Sequence, residues 1–410
     1  MRNNRVNARR WAKSFLLCRV ALAGMFAGAL IGAINTAQAQ PRPETREIPY
    51  FEPDLTWPKL PAKWVFGQVS SVSIDERGHA WILQRPSTVR NDQKAKGMAA
   101  PPVLEFDVAG NFVQGWGGPA QNNEGYDWVE SEHGIYVDPK GFVWIGGNGK
   151  TDHHLLKFTK QGKFVMQIGR RGASKGNTDT QNVNQAADTW VHAKTSELYV
   201  ADGYGNRRII VFDADTGAFK RMWGAFGNPA RDDAPRKAKV AENDRIPAKE
   251  ETGPGPDDFV MPVHAARVSN DDLVYVSDRG GKRVQVFTLE GKFVAQTFVD
   301  RWCEAPHCGN GQTVASTAFS HDPAQRFLYV ASRSPQRVWV LDRKTLDELH
   351  SFGRPGVAPG EFYVLHHMNV DAKGNLYTTE VQDGKRIQKF VYKGIGPVRA
   401  GAQGVLWPKK

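Results

Sequence analysis

The chain repeats one short pattern six times along its length, and this repeat limits the folds open to it more than any other feature. Each copy holds three or four short runs rich in Val, Ile, Phe, Tyr and Trp, separated by turns such as Asp-x-x-Gly. Such residues favour strands and turns, and no sustained helical period appears after residue 40. One aromatic residue marks each copy: Trp81, Trp144, Tyr199, Tyr275, Tyr329 and Tyr377.

A repeat of roughly 40 to 60 residues with four strands is typical of a β-propeller, whose blades pack around a central channel. The sequence therefore predicts an all-β fold, a six-bladed β-propeller. We expect it at residues 67–395, after an N-terminal extension at 40–66 and before a C-terminal tail at 396–410. The alternatives are an open β-solenoid, which needs shorter and more uniform repeats, and tandem sandwiches, which need a separate core for each pair of units.

The first 39 residues have the pattern of a secretory signal peptide. Six basic residues and no acidic residue precede an apolar stretch at 20–34, which ends in Ala37-Gln-Ala39. An apolar stretch of this length is short for a membrane span. We therefore expect a secreted or periplasmic protein with no stable membrane insertion once the signal is removed. An uncleaved anchor and a twin-arginine signal at Arg9-Arg10 are the alternatives.

The net charge of the whole chain is +11, but much of it lies in the predicted signal. Without those six basic residues, 48 basic and 43 acidic residues remain, a net charge of +5. Lys and Arg are scattered at the ends of predicted strands, which is typical of a solvated surface and not of a nucleic-acid interface. We expect no nucleic-acid partner, and a monomer.

Two further features concern loops. Cys303 and Cys308 lie between the fourth and fifth copies, and in an oxidising compartment they are expected to form a local disulfide. The alternative is a soft-metal site with His307, which lacks a fourth ligand. An insertion at 229–258 is rich in charge, Pro and Gly, so we expect a surface loop. It either walls a substrate site or is a tolerated insertion.

Three histidines occupy the same position in alternate copies. His133, His264 and His366 each stand eleven residues before the aromatic residue of the second, fourth and sixth copies. That position starts the first strand of a blade, and first strands line the channel of a propeller. The three side chains should therefore meet at one height, about 120° apart, as a trigonal metal site. Three imidazoles favour Zn²⁺ or a similar ion and leave a coordination position for water or substrate. The alternative is three channel histidines bonded to water.

A second set of polar residues follows the second strand of several copies. Arg85, Arg279 and Arg333 stand four residues past the aromatic residue, and Tyr204 stands five past it. The second strand returns to the face where the first begins, so both sets should meet at one rim. Because a guanidinium binds a carboxylate in a bidentate manner, we expect a small-molecule or peptide substrate with a carboxylate. A tyrosine beside a cation and an arginine can serve as a base. A surface salt bridge remains the alternative for Arg333.

Four segments resemble the peptidyl-α-hydroxyglycine α-amidating lyases, which are six-bladed propellers of the wider NHL-repeat group. The segments are Glu132-His-Gly-Ile-Tyr-Val-Asp, Val200-Ala-Asp-Gly-Tyr-Gly-Asn-Arg-Arg-Ile, Met261-Pro-Val-His and Val276-Ser-Asp-Arg-Gly-Gly-Lys-Arg-Val. The similarity runs from about Gly67 to Phe390. Those lyases cleave the C–N bond of a peptidyl α-hydroxyglycine to give a peptide amide and glyoxylate.

The resemblance implies a role for each residue of the two sets. It implies Zn²⁺ on His133, His264 and His366, Tyr204 as the base, and Arg85 and Arg279 holding the substrate and its carboxylate. It also implies a calcium site with the carbonyls of Val72 and Ile135, but His367 stands where that site has an aspartate, and this departure argues against calcium. The family's disulfide cysteines are missing, and Gly205 replaces one of them. A metal-dependent propeller hydrolase of the lactonase or esterase type and a non-catalytic NHL-type binding propeller are the alternative functions.

Overall fold

The structure is a computed structural model that describes residues 46–119, 125–232 and 253–398. The predicted signal at 1–39, the central part of the charged insertion and the end of the C-terminal tail lie outside these residues. The described strands are β1 (Glu47–Pro53), β2 (Gln68–Ile74), β3 (Ala80–Arg85), β4 (Val103–Phe106), β5 (Phe112–Trp116), β6 (Glu132–Val137), β7 (Phe142–Gly147), β8 (His154–Thr159), β9 (Phe164–Gly169), β10 (Asp188–His192), β11 (Glu197–Asp202), β12 (Arg208–Asp213), β13 (Phe219–Trp223), β14 (Val263–Val268), β15 (Leu273–Asp278), β16 (Arg283–Thr288), β17 (Phe293–Phe298), β18 (Val314–Phe319), β19 (Phe327–Ser332), β20 (Arg337–Asp342), β21 (Glu348–Phe352), β22 (Leu365–Val370), β23 (Leu376–Glu380) and β24 (Arg386–Pro397). One α-helix, α1 (Asn91–Ala95), and two short 3-10 turns, Pro86–Thr88 and Ala225–Gly227, accompany these strands.

The strands form six antiparallel four-stranded sheets, which are the blades of a propeller. Blades one to five are β2–β5, β6–β9, β10–β13, β14–β17 and β18–β21, and blade six has the order β1-β24-β23-β22. The innermost strand of each blade contacts that of the next, and β22 contacts β2, so the ring is closed. The predicted all-β, six-bladed β-propeller is thus confirmed, and the solenoid and the tandem sandwiches are excluded.

The last blade takes its outermost strand from the start of the described chain. β1 pairs with β24 from Glu47 opposite Pro397 to Pro53 opposite Phe390. Residues 40–66 are predicted to lie outside the propeller, whereas β1, at Glu47–Pro53, covers the free edge of blade six. β1 escaped prediction because it contains Pro49 and Pro53, and proline within a strand is tolerated chiefly at a sheet edge.

In three blades an Asp-x-x-Gly turn connects the two inner strands and also anchors the repeat aromatic residue. In blade one, Asp75 Oδ1 accepts the backbone N–H of Arg77, while Asp75 Oδ2 accepts the indole N–H of Trp81 at 3.2 Å. Gly78 completes this turn at φ 77°, a conformation that costs glycine little. Asp138 with Trp144 and Asp371 with Tyr377 repeat the arrangement in blades two and six. In these three blades, one aspartate therefore links the turn to the core.

The core consists of six clusters of apolar side chains that lie between adjacent blades. Each cluster contains one of the six repeat aromatic residues, and these are at most 2% exposed. Truncating such a residue to alanine typically costs about 3–5 kcal/mol. The interblade packing thus fixes each innermost strand relative to its neighbours. Among the described residues, no helix has the length and apolar character needed to cross a membrane.

Candidate metal centre and anion site

The three repeat histidines occupy the same place in three inner strands. His133, His264 and His366 are each the second residue of their strand, in β6, β14 and β22. Each is also the residue skipped by the pairing register, at the irregularities Glu132/Gly134, Val263/Ala265 and Leu365/His367. A bulge re-aims a side chain by interrupting the ladder. The fold therefore uses three equivalent bulges to direct three imidazoles to one point, which we call the His₃ cluster.

The His₃ cluster is compact and shielded from solvent. Its ring centroids are 4.7–5.0 Å apart, and its residues are at most 3% exposed. One nitrogen from each ring lies within 4.8 Å of the other two. Three ligand atoms at a zinc distance of about 2.0–2.1 Å from one ion are themselves about 3.4 Å apart, so a small adjustment suits the cluster to Zn²⁺. The structure thus brings together the three predicted ligands.

Backbone carbonyls of the other three blades orient these rings. Nδ1 of His133 lies 2.7 Å from Ala187 O, that of His366 lies 2.7 Å from Ser70 O, and that of His264 contacts Ala315 O. A carbonyl only accepts, so each Nδ1 carries the hydrogen and each Nε2 lone pair remains for a ligand. Metal-binding histidines generally have such a partner on the other nitrogen. The tautomer that binds metal is therefore set by the inner strands.

Burial also keeps the His₃ cluster neutral. It lowers the pKa of His133, His264 and His366 well below the usual value of 6.5. The charges of nearby arginines add to this effect on all three rings. An imidazole must be unprotonated at the nitrogen that binds a metal. The environment therefore favours the form that a cation needs.

Tyr204 lies against the His₃ cluster. Its Oη is 2.9 Å from Nε2 of His133 and 3.0 Å from Nε2 of His264, and it accepts a hydrogen bond from Arg279 Nη1 at 3.0 Å. A phenol has a single hydrogen, which serves only one of the two nitrogens. The Nε2 lone pair of the other histidine then has no hydrogen to accept within a buried site, and it is available to a cation. This donor set fits the predicted zinc ion.

Buried ion pairs position Tyr204 and Arg279. Tyr204 lies on the β11–β12 loop, which is closed by Asp202 and Arg208 at 2.9 Å. Arg279 lies on the β15–β16 loop, which is closed by Asp278 and Arg283 at 2.8 Å. The side chains of both pairs are fully buried. Losing one partner of such a pair typically costs about 3–5 kcal/mol, so these loops are held firmly.

Arg85 lies on the same rim and contacts only neutral acceptors among the described residues. Its Nε donates to Glu132 O at 2.7 Å, and its Nη atoms donate to Gln68 Oε1 at 2.9 Å and Asn148 Oδ1 at 3.2 Å. Glu132 directly precedes a cluster histidine, but its carboxylate accepts the indole N–H of Trp128 instead. Burial lowers the pKa of Arg85. Its positive charge is thus held near the cluster without forming an ion pair among the described residues.

Arg279 and Arg333 complete a group that we call the arginine rim, formed with Arg85. The Nε atoms of Arg279 and Arg333 are buried and have no hydrogen-bond partner within 46–119, 125–232 and 253–398. Arg333 N donates to Thr313 O at 2.8 Å, and Thr313 N faces Arg279 O at 3.4 Å. Burial, with a smaller effect of the Arg279 charge, lowers the pKa of Arg333 to about 10. The arginine rim is therefore a candidate anion site, and Arg333 lies in it.

The proposed calcium position has a different character. His367 Nδ1 lies 3.3 Å from Ser71 Oγ, which accepts the backbone N–H of Ile135, and 3.5 Å from Val72 N. On its other side, His367 Nε2 accepts from Arg267 at 2.6 Å. Calcium requires six to eight oxygen ligands. An imidazole and a guanidinium do not supply them, so the residues beside Val72 and Ile135 do not fit that ion.

The partners of His367 cannot be predicted from the repeat spacing. Arg267 forms a short ion pair with Asp188, and both side chains are buried. The guanidinium also stacks over Trp190, with 5.1 Å to the ring centroid. Neither Arg267 nor Asp188 recurs at the equivalent position of another copy, so the repeat does not point to them. The signal that could have identified Arg267 and Asp188 is a charged residue inside an inner strand, because a charge buried there needs an oppositely charged partner.

The cysteine prediction is confirmed. Cys303 and Cys308 form a disulfide with an S–S distance of 2.14 Å and a Cα–Cα distance of 5.3 Å. Because both sulfurs are bonded to each other, the soft-metal alternative with the exposed His307 does not hold. A second group of metal-type residues, Asp75, His79 and Glu105, lies away from the rim. Arg77 and Lys160 occupy the carboxylate oxygens there, which removes the need for an ion.

No protein-family model matches the chain. Its sequence is similar to NHL repeat-containing protein 3 of Mus musculus, with 26% identity over 94% of this chain and 96% of the mouse protein. It is also similar to peptidyl-alpha-hydroxyglycine alpha-amidating lyase 1 of Drosophila melanogaster, 24% identical over 90% of this chain and 66% of the fly protein. This chain is a homologue of both groups. A probable amidating lyase of Caenorhabditis elegans shows 28% identity over 54% of this chain and 56% of the worm protein. The resemblance carried by the four segments is thus confirmed at the level of homology.

Proposed function

We propose that this protein is a zinc-dependent lyase that cleaves the C–N bond of a peptidyl-α-hydroxyglycine-like carbinolamide, giving an amide and glyoxylate. The observation that carries the proposal is the contact of Tyr204 with two histidines of the His₃ cluster and with Arg279. One oxygen thereby joins a cation site to an anion site. Homology to amidating lyases supports this choice among metal-dependent reactions.

His133, His264 and His366 would hold the zinc ion through Nε2. When bound, zinc supplies a Lewis acid that polarises the carbinolamide hydroxyl. Arg279 and Arg85 bind the carboxylate of the substrate. Among the described residues, no carboxylate of the protein competes for either guanidinium. The reacting carbon then lies between the rim and the cluster.

Tyr204 moves the proton. Its Oη accepts the hydrogen of the substrate hydroxyl, and the C–O bond becomes the C=O bond of glyoxylate as the C–N bond breaks. The electron pair stays on the amide nitrogen, which receives the hydrogen that the phenol of Tyr204 already carried, so Tyr204 ends as the same neutral phenol and no other reactant is needed. Arg279 donates to Oη at 3.0 Å and stabilises the negative charge that develops on this oxygen as it exchanges the two hydrogens.

A secreted or periplasmic location suits this proposal. The Cys303–Cys308 disulfide is of the kind that persists in an oxidising compartment. The N-terminal pattern of basic, apolar and small residues also supports export from the cytoplasm. We propose a monomer that acts on a small molecule or peptide with a carboxylate.

The test combines metal analysis with an assay. Purified protein is expected to contain about one zinc per chain and to release glyoxylate from α-hydroxyhippurate. His264→Ala should lose both, whereas His321→Ala, which changes an exposed histidine, should lose neither. Full zinc occupancy without glyoxylate release would reject the lyase and leave a metal-binding NHL-type propeller. Release of an alcohol from a lactone or ester instead would support a propeller hydrolase.

A further inference from the structure

The arginine rim carries more positive charge than the proposed substrate neutralises. Arg279 is buried and Arg85 and Arg333 are half-buried, and none of the three forms an ion pair with a carboxylate of the described chain, whereas the buried Arg208, Arg267 and Arg283 each have one. A single carboxylate bound by Arg279 and Arg85 leaves Arg333 without an anion. Burying an unpaired charge is costly, so a fold that keeps one commonly has a ligand for it.

Arg333 is well placed to bind a ligand. The residue is half-buried, and its Nε is buried and has no hydrogen-bond partner among the described residues. The backbone contact through Thr313 fixes its base beside Arg279. The Cys303–Cys308 loop packs on the same rim, since Lys282 Nζ donates to Arg301 O and Ser334 Oγ donates to Asn310 Oδ1. Arg333 therefore lies at the wall of the site, one blade beyond Arg279.

We infer that Arg333 binds a second anionic group of the substrate. The substrate class is then a dianionic carbinolamide, with one carboxylate on the glyoxylate half and an acidic group on the acyl half. This inference rests on the proposed function for the orientation of the substrate. The acidic group itself is recognised by a guanidinium whose planar donors suit a carboxylate.

Binding of simple dicarboxylates tests the inference separately from turnover. The probes are malonate, succinate, glutarate and adipate, each compared with its monoamide by calorimetry on the zinc-loaded protein. For at least one chain length, the wild type should bind the dicarboxylate roughly 10- to 100-fold more tightly than the monoamide, as expected for a charge-assisted pair in a buried site. In Arg333→Gln the dicarboxylate should lose more affinity than the monoamide, so that the two bind about equally.

The chain offers a matched control at the other end of the same strand. Arg326 directly precedes β19 and Arg333 directly follows it, and Arg326 pairs with Glu47 at 3.0 Å on the exposed surface. Arg326→Gln should keep the preference for the dicarboxylate. Arg333→Lys, which retains the charge, should restore part of it and guards against a folding defect in Arg333→Gln.

Kinetics then connects the binding site to the reaction. The wild type should release glyoxylate from succinyl-α-hydroxyglycine with a lower KM than from its neutral succinamoyl analogue, and Arg333→Gln should remove this difference. If no compound yields glyoxylate but the dicarboxylate preference depends on Arg333, the lyase fails and the second anion site stands. If the wild type binds diacids and monoamides equally, or Arg333→Gln keeps the preference, the inference is wrong.

Discussion

The phenolic oxygen of Tyr204 lies 2.9 Å from Nε2 of His133, although the two residues belong to different blades. Tyr204 is on a loop of blade three and His133 is on the inner strand of blade two. The same oxygen lies 3.0 Å from His264 of blade four. Because three successive blades meet at one atom, the interblade cores determine the geometry of the site.

Tyr204→Phe is expected to abolish proton transfer while leaving the metal in place. The substitution removes one oxygen and keeps the ring, so the His₃ cluster remains intact. Loss of a general acid–base typically lowers the rate about 10²- to 10⁴-fold. We expect a fall of this size in kcat for glyoxylate release, with about one zinc per chain by elemental analysis. A variant that keeps wild-type kcat would exclude Tyr204 as the base.

Glu197→Gln is expected to reduce stability and to flatten its dependence on acid pH. Hydrogen bonds from Arg221, together with Lys220 and Tyr199, lower the pKa of Glu197 from 4.5 to about 2. The unfolded carboxyl takes up a proton near pH 4.5, whereas the folded one resists protonation until about pH 2. The stabilisation is therefore present above pH 4.5 and is lost as pH falls towards 2, by an amount on the order of 1–2 kcal/mol.

Urea unfolding at several pH values measures this effect. Wild type should lose stability between pH 4.5 and 2 more steeply than Glu197→Gln, and the variant should already be less stable at pH 7. Glu52→Gln removes the exposed pair with Lys393 and serves as the control, with a loss of about 0–1 kcal/mol. Parallel pH curves for wild type and Glu197→Gln would contradict the prediction.

The repeat in the sequence was sufficient to predict much of the fold and the meeting of the site residues. The spacing of eleven placed His133, His264 and His366 on alternate inner strands because each blade repeats the same hairpin. The position after the second strand placed Arg279 and Tyr204 on the same rim for the same reason. Equivalent positions of the inner strands converge on the channel of a closed ring, so their equal spacing in the sequence is enough to predict that they meet.

Features outside the repeat could not be predicted in this way. The bulges that direct the histidines have no residue pattern of their own in the sequence. The carbonyls that orient the rings are backbone groups, which every residue has, so the sequence does not distinguish them either. Arg333 has the same spacing as Arg279, so the sequence alone does not show whether it forms a surface salt bridge. The structure excludes a salt bridge because Arg333 has no acidic partner in the described chain. Such an observation needs three dimensions.

Zinc is expected to raise the midpoint of thermal unfolding of metal-free protein, and calcium is not. Arg267 and His367 occupy the channel beside Val72, and their nitrogens do not suit calcium. A ligand at about 100 times its Kd adds about 2.7 kcal/mol of stability, which is several degrees for a chain of this size. After removal of metal, micromolar zinc should give such a shift and millimolar calcium should give less than about one degree. A large calcium shift would restore the site implied by the resemblance.

Gly134→Ala is expected to weaken metal binding without touching a ligand. A Cβ at this position would lie 2.7 Å from Ala187 O and 3.1 Å from the Cα of Asp188. Ala187 O is the acceptor for Nδ1 of His133, so the added methyl group pushes this carbonyl and the adjacent inner strand away. Loss of such an orienting partner typically lowers metal affinity about 10- to 100-fold.

Competition with a zinc chelator measures the effect of Gly134→Ala. Gly224→Ala is the matched control, because its Cβ would meet no atom closer than Asn228 O at 3.4 Å. The control should keep wild-type zinc affinity, and both variants should keep the far-ultraviolet spectrum of an all-β protein. Equal affinity in Gly134→Ala and wild type would mean that the carbonyl of Ala187 does not orient His133.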